Sequence, residues 1–530
     1  MTFSWNSQTV ELGLREIADG EPKILRRFAD LLNDYHHEER DIAYWDLIGG
    51  EWALHFTHAV YAALQGVDDT SPRHTVQRPI PVFADHQDFM ATITSDTQFI
   101  PALSVMAEKS LRSSQAGNAT FSGSHKIIGA GLDGLLLRSR RTAKQCLYRA
   151  LTGSAAPFLF CRPYIRSDLT KWYGTLRKWR GWARQDDLDY PIQTTASLDS
   201  NWRTSRSSDM QLRDWTDVTM ALLPLYMPLA YLEGFVDYRR RAHALRLRRP
   251  RAMYTANSLH GHLLFKVLAA DWRGEGTLVL NHQHGGGYGI DRIHPLEEYE
   301  SRVACKFYSW GWSERTNQRP LSPASICLDR RPSKRTHRIL VNCMDFPQVL
   351  YRIHFHPMPG SVDQMLEQTA TFIASLRGVS GVTVRPYLRD YGHDLLGRLK
   401  RTETAFEIDD SSVGGPAAYA RSALVVHNYL GTAWLETLAM NVPTVCFFDS
   451  QTYAFRSAAQ PFIDRLVDVG VLHTSAIEAA DHVRSICNDP SGWWTGPEVQ
   501  SARENFVRQY ANFSPNWMAE WQEEFQRCLS

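Results

Sequence analysis

Residues 422–449 read SALVVHNYLGTAWLETLAMNVPTVCFFD, and their polar groups fall at a spacing suited to phosphate chemistry. An apolar run, Ala423–Val426, stops at His427-Asn428. Gly431 and Thr432 then open a helix that carries Glu436 and runs to about Met440. Asn441 and Pro443 end that helix, and a second apolar run, Val442–Phe448, follows. The order strand, polar loop, helix, strand fits one βαβ unit. A strand that feeds a helix start leaves backbone N–H groups unsatisfied at the positive end of the helix dipole, where a phosphate binds well. Glu436, one turn into the helix, stands where a carboxylate accepts from ribose hydroxyls. The plain alternative is an α/β crossover without a ligand, and spacing alone weights the two about equally.

Two further constellations favour a ligand, and a third is neutral. His354-Phe355-His356-Pro357 follows a predicted strand at Ile339–Cys343. An imidazole before proline sits in extended backbone and can donate to phosphate or move a proton. Arg352, just upstream, adds a candidate phosphate contact. In NHQHGGGYG (Asn281–Gly289), His284 leads Gly285, Gly286 and Gly287, with Gln283 and Tyr288 alongside. Consecutive glycines let backbone approach a ligand closely, and the segment follows a strand, at the sheet edge where α/β proteins bind ligands. The third is Arg385–His393, where Arg389, Asp390 and His393 could face a cleft, with a solvated loop as the equal alternative. His282 and His284 share a side of an extended chain, but no carboxylate lies close in sequence. The eight cysteines show no CxxC, so neither a metal nor a cofactor is expected. There is no P-loop lysine motif, GxSxG elbow, HExxH or DxD pair, and Asp68-Asp69, Asp186-Asp187 and Asp409-Asp410 read as solvated turns.

The elements that must hold these residues can be read more coarsely. A chain of 530 residues exceeds one hydrophobic core. Its 43% hydrophobic and 22% charged residues are those of a globular protein, and a net charge of +1 gives no reason to expect nucleic acid. The opening segment lacks a secretory pattern, and Val218–Leu232, interrupted by Pro224 and Pro228, is too short to span a membrane. A cytoplasmic protein with reduced thiols is expected. Helical spacing marks Ile24–Leu32, Tyr44–Ala63, Leu212–Tyr238 and Asn257–Ala270. Arg239–Arg251 is a basic run, either a solvated helix face or a patch that meets anionic phospholipid at the inner membrane. From Arg338 strands and helices alternate: strands at Ile339–Cys343, Val382–Pro386, Leu424–Val426 and Val442–Phe448, helices at Asp363–Leu376, Gly392–Lys400 and Thr432–Met440. That alternation means a parallel sheet covered by helices. The tail, Ser475–Cys528, is helical and tryptophan-rich.

With these segments in view, the chain resembles the transferases of bacterial O-antigen and surface-polysaccharide biosynthesis loci, over nearly its whole length. The marks are Tyr44-Trp45, Trp52, Gln283–Gly289 with Glu297 and Glu300, and Trp310-Gly311-Trp312. Further on come Tyr351-Arg352, His356-Pro357, Asp390-Tyr391-Gly392, Asn428–Pro443, Trp493-Trp494 and Arg503 with Phe506. His393 and the run His427–Thr432 depart from the family pattern, which bears on the donor site. The resemblance implies an α/β, GT-B-like fold, two Rossmann-type domains facing a cleft with helical additions at both ends. Residues 1–325 would form the acceptor side, 335–480 the nucleotide-donor domain, and 481–530 helices packing back on the first. It implies a metal-independent glycosyltransferase of polysaccharide assembly, with a nucleotide-sugar donor and a saccharide or lipid-linked acceptor. A CMP-linked donor is included, because the His-Pro element resembles that of Kdo and sialic acid transferases. Arg352, His356, Asn428, Gly431, Thr432 and Glu436 would then hold nucleotide and phosphate. Gln283, Gly285, Gly286, Gly287 and Tyr288 would form the cleft loop, and His284 would be catalytic, with Asp390 and Glu297 as alternative carboxylate bases. Two other readings use the same phosphate cradle: a glycerol-phosphate or phosphoryl-group transferase, and a non-catalytic nucleotide-sugar binding protein.

Overall fold

Short runs of buried apolar residues, separated by helices, make strands that must be covered on both faces, which is the condition for parallel sheets. A computed structural model describes residues 5–65, 78–113, 120–122, 148, 156–164, 178–190, 192, 196–323, 336–354 and 357–530. After a small parallel pair, β1 (Ile80–Pro81) with β2 (Phe121–Ser122), the first large sheet is built from six strands. They are β3 (Phe158–Cys161), β4 (Ala183–Gln185), β5 (Ala252–Thr255), β6 (Leu278–His282), β7 (Lys306–Ser309) and β8 (Gln318–Pro320). Their order is β4-β3-β5-β6-β7-β8, parallel throughout. The second sheet holds β9 (Ile339–Asn342), β10 (Val382–Arg385), β11 (Glu407–Ile408), β12 (Leu424–His427), β13 (Thr444–Phe447) and β14 (Leu472–His473). Its order, β11-β10-β9-β12-β13-β14, is the 3-2-1-4-5-6 winding of a Rossmann domain, and the first sheet has the flavodoxin-like winding with one more edge strand. Two Rossmann-type lobes of this kind form the GT-B-like architecture expected from the sequence.

Register decides which loops meet. Asn342 of β9 lies beside His427 of β12, so the loops that leave these strands start level at the point where the winding reverses. In the first lobe Thr255 of β5 pairs with Asn281 of β6, so the turn after β5 and the loop at 283–289 leave the same edge as neighbours. That turn was expected to be helical. Thr255 Oγ1 instead accepts from the backbone N–H of Asn257 (3.2 Å) and Ser258 (2.7 Å), and the helix starts only at Leu263. Residues 256–262 therefore remain a turn that carries His260.

Helices frame both lobes. The Ser7–His36 helix, capped by Asn6 and Thr9, packs on a second helical stretch interrupted by a π-turn at Asp46–Gly50 before it continues as Glu51–Gln65. Near the end of the chain the Pro497–Tyr510 helix packs on the second lobe, with Phe506 4.9 Å from the Trp434 ring. The Trp517–Arg527 helix then lays Trp521 and Phe525 on Phe160 and Tyr254 of the first sheet.

Two surface expectations change. Asp186 and Asp187 are buried, accepting from Leu188 and Tyr190 and from Arg162 and Gln185, and Asp409 is buried against Arg338 and Arg385. Asp186, Asp187 and Asp409 are structural acceptors and not solvated turns, whereas Asp410 is exposed and accepts from Ser412 N (2.9 Å) in a turn as expected; Asp68-Asp69 lies outside the described residues. In the basic run, Arg239 pairs with Glu38 and Asp271, Arg240 and Arg241 with Asp237, and Arg249 with Glu275. Acidic neighbours thus meet the charge of these four. Among the described residues no helix is long and apolar enough to cross a membrane.

Candidate active site

The loop after β6 is held rigidly before any ligand is considered. Gln283, fully buried, accepts from Trp310 N (3.0 Å) and Trp312 Nε1 (2.9 Å) on its side-chain oxygen and donates to Gly285 O (2.9 Å). It is the loop's tie to the sheet. Gly287 and Gly289 have φ of 88° and 71°, which a side chain adopts only at a cost, so glycine is required at both. Between them Tyr288 is buried, its hydroxyl 3.2 Å from Glu300 Oε2 and 3.4 Å from His284 Nδ1.

The loop reaches the other lobe. Gly286 N donates to Thr432 Oγ1 at 3.0 Å, and a Cβ at Gly286 would stand 2.5 Å from Gly431 O. The glycine loop and the start of the Thr432–Ala439 helix therefore share one crevice. Gly431 is the N-cap and supplies no side-chain cap, so helix N–H groups stay open to an acceptor. Arg352 lies at the same crevice: its charge acts on Tyr288 and Asp291 of the first lobe and on Tyr429 of the second. Its guanidinium meets His354 Nε2 at 3.0 Å, and among the described residues no carboxylate pairs with it. A pocket lined by Met358, Gln364, Tyr429, Phe448, Asp449 and Tyr453 opens at the loop after β12.

Other predicted residues have different places. Asn428 accepts from Met344 N (2.8 Å) and donates to Thr369 (3.0 Å), so it ties the loops after β9 and β12 together. Glu436 is buried within its helix. His356 lies outside the described residues. Glu297 accepts from Gly289 N (2.8 Å) and gives both oxygens to Arg456 (2.8 Å each), which makes it a pin between the lobes. Asp390 is exposed on the loop after β10 and accepts from Gly392 N at 2.7 Å. His282 faces Tyr254 OH (2.6 Å) and Leu321 O (3.0 Å), away from His284.

His284 meets a cluster that sequence spacing did not reveal. Its ring lies 4.6 Å from that of His260, whose Nε2 is 2.7 Å from Glu300 Oε1. His260 Nδ1 is 2.9 Å from Glu51 Oε1, and Glu51 Oε2 accepts from Lys266 Nζ (2.6 Å) and Gly261 N (2.8 Å). Glu51 arrives on the π-turned helix, Lys266 on the helix after the turn, and Glu300 on the helix after the glycine loop. Burial pushes the His284 imidazole down to about 4, with Glu300 pulling the other way. Burial also opposes charge on His260, yet Glu300 and Glu51 flanking the ring hold it up to about 10. Burial favours neutral Glu51, but Lys266, His86 and His260 keep it well below the usual carboxylate range. Two adjacent imidazoles are thus driven to opposite protonation states, the mark of divided roles.

A two-lobed frame with a site shared across its cleft is that of a GT-B-like transferase. The chain belongs to the LIC12162 family of transferases, whose family profile matches residues 7–525. No curated protein matches it in sequence. Solved structures similar to it include a mutant O-GlcNAc transferase from Thermobaculum terrenum, at 12% identity over 92% of this chain and 83% of that one, TM-score 0.35. MurG of Acinetobacter baumannii is similar at 12% identity over 70% of this chain and 98% of that one, TM-score 0.35. Phytolacca americana UGT2 complexed with UDP-2fluoro-glucose and pterostilbene follows at 13% identity, 75% and 97% coverage, TM-score 0.34. The fold stands on the strand order described above and not on these distant likenesses.

Proposed function

We propose that the protein transfers a sugar from a nucleotide-activated donor to a saccharide or lipid-linked acceptor in surface-polysaccharide assembly, with CMP-linked sugars among the candidate donors. One observation carries the reading: Gly286 of the His284 loop touches Thr432 at an uncapped helix start, near Arg352, which has no carboxylate partner among the described residues. Arg352 and the helix N–H groups neutralise the donor phosphate as the bond to the sugar breaks, and Glu436 holds the ribose. His356 enters this reading from the sequence alone, as a further candidate for the phosphate. The acceptor lies against His284, where its hydroxyl is activated and passes its proton to water in the cleft as its oxygen bonds to the anomeric carbon. The phosphate leaves with the bonding electron pair. In this reading the work is done inside the cell, at the inner face of the membrane when the acceptor is lipid-linked.

The test is thermal-shift and calorimetric screening with CMP, CDP, UDP and GDP, since a true donor nucleotide stabilises the fold by mass action. Arg352→Ala and Glu436→Ala should abolish the response to the best nucleotide. His284→Ala should keep it and lose turnover. No stabilisation by any nucleotide, or full turnover in His284→Ala, refutes the reading. Transfer of glycerol phosphate with release of CMP from CDP-glycerol would replace it with the phosphoryl-type alternative.

A further inference from the structure

His260, His284 and Glu300 form a group with the composition of a transition-metal site. One ligand atom from each lies within 4.8 Å of the other two. They come from three separate segments, the turn after β5, the glycine loop and the Pro295–Val303 helix, brought together by the β5–β6 register.

Two independent features point to a ligand between them. First, His260 Nε2 and Glu300 Oε1 form an ion pair at 2.7 Å, but among the described residues neither buried atom has an aligned hydrogen bond. Glu300 has no exposed surface, so its Oε1 is withdrawn from water and faces the two imidazoles, His260 Nε2 at 2.7 Å and His284 Nδ1 at 3.7 Å. Second, the remaining atoms of two of these residues are already held. His260 Nδ1 faces Glu51 Oε1 at 2.9 Å. Glu300 Oε2 accepts from Asn281 Nδ2 (3.0 Å) and Tyr288 OH (3.2 Å). A carboxylate behind a ligating imidazole, and donors behind a ligating carboxylate, are how metal ligands are oriented. The imidazoles keep 25% and 22% of their side-chain surface, so the group is open on one side toward the crevice.

We propose that His260 Nε2, His284 and Glu300 Oε1 bind one divalent transition-metal ion of the zinc class, with a coordination position open to the cleft. Two imidazoles and one carboxylate suit zinc or iron better than magnesium or calcium, which prefer oxygen. No metal was expected from the sequence because His284 has no carboxylate near it in the chain; the fold supplies Glu300, and His260 in place of His282. The other buried group, Glu51 with His55 and His86, is unsuited, because Lys266 already occupies Glu51 Oε2. The inference deepens the proposed function by naming what acts on the acceptor hydroxyl at His284, and it rests on that reading only for the use of the ion.

The test is titration of the full chain, stripped with EDTA, with Co2+ alone. Binding should saturate at one equivalent, with the intense visible bands of a low-symmetry site, and Zn2+ should displace them. His260→Gln, His284→Gln and Glu300→Gln should each remove the bands while melting remains cooperative. Glu436→Ala should keep them, although it loses nucleotide binding, so the metal site and the donor site can fail separately. Absence of bands in the parent chain overturns the proposal. Bands that persist in all three variants overturn it as well.

Discussion

Arg456 should bind the two lobes together by an amount large enough to measure. It leaves the second lobe at the Asp291–Phe455 bridge and inserts into the first. There it donates to both oxygens of Glu297 and to Asp291 O at 2.8 Å, with its guanidinium 5.6 Å from the Trp312 ring centroid. The Arg456 side chain keeps 11% of its surface and Glu297 2%, so solvent screening discounts little. Burial pushes Glu297 up and Arg456 pulls it back down. Removing one partner of such a buried pair costs about 3–5 kcal/mol, because the other charge is left without compensation. The bond to Glu314, whose side chain is 43% exposed, adds little. Arg456→Met should therefore lower stability by about 3–5 kcal/mol. Glu297→Gln in the same chain should return about half of that, since Gly289 N still finds an acceptor there. Urea unfolding followed by tryptophan fluorescence gives the four corners of the cycle, and hydrogen exchange at Gly289 reads the local effect. A loss below about 1 kcal/mol in Arg456→Met, or a cycle with no coupling, would refute the pin.

The remaining predictions concern the crevice and acid stability. Gly286→Ala would place a methyl 2.5 Å from Gly431 O and 3.0 Å from Thr432 N, both backbone, so the loop must move off the helix start. A displacement of that kind costs on the order of a hundredfold in turnover. Gly285→Ala meets only Thr432 Oγ1 at 3.5 Å and should be tolerated, and equal loss in both variants would show that the contact does not matter. His58 and His427 are buried and neutral, each lowered by burial to about 3. The unfolded chain takes up their protons near the ordinary histidine value of about 6.5, so the unfolded state binds more protons below that pH. Stability is whole above about pH 6.5 and falls as pH drops toward 3, by about 2–3 kcal/mol per histidine at pH 4.5. His58→Asn, whose side-chain oxygen can accept from Ile353 N as His58 Nδ1 does, should flatten that slope. A melting temperature that is level from pH 7 to 5 in the parent chain would contradict the assignment.

The local pattern of residues 422–449 was enough to define strand, uncapped helix start and strand, because period, glycine and proline act within a few residues of themselves. For the same reason the alternation after Arg338 reads correctly as a parallel sheet, and the glycine loop reads as a place of close approach. Short buried strands escape this kind of reading. β5 follows directly on a basic run, and four residues show no period that separates them from a loop. The helix expected at Asn257–Ala270 lost its first turn to a threonine hydroxyl, and with it went the sequence's view of His260.

The residues of the candidate site divide along the same line. His284, Arg352, Gly431 and Thr432 carry a local signature, whether glycine, a strand end or a helix start. Glu51, His260, Lys266 and Glu300 carry none, since a lone carboxylate or imidazole on a helix or in a turn reads as surface. They become a cluster only because β5 and β6 leave the same sheet edge and the helices that carry Glu51 and Glu300 close over it. Glu297 shows the converse: its acidity in a suggestive segment marked it as a base, and the fold commits both its oxygens to Arg456. Chain-local physics determines which elements form and where backbone can approach a ligand. Which charges are buried, and against which partners, depends on contacts between residues hundreds of positions apart, and those exist only once the sheets are wound and the lobes are docked.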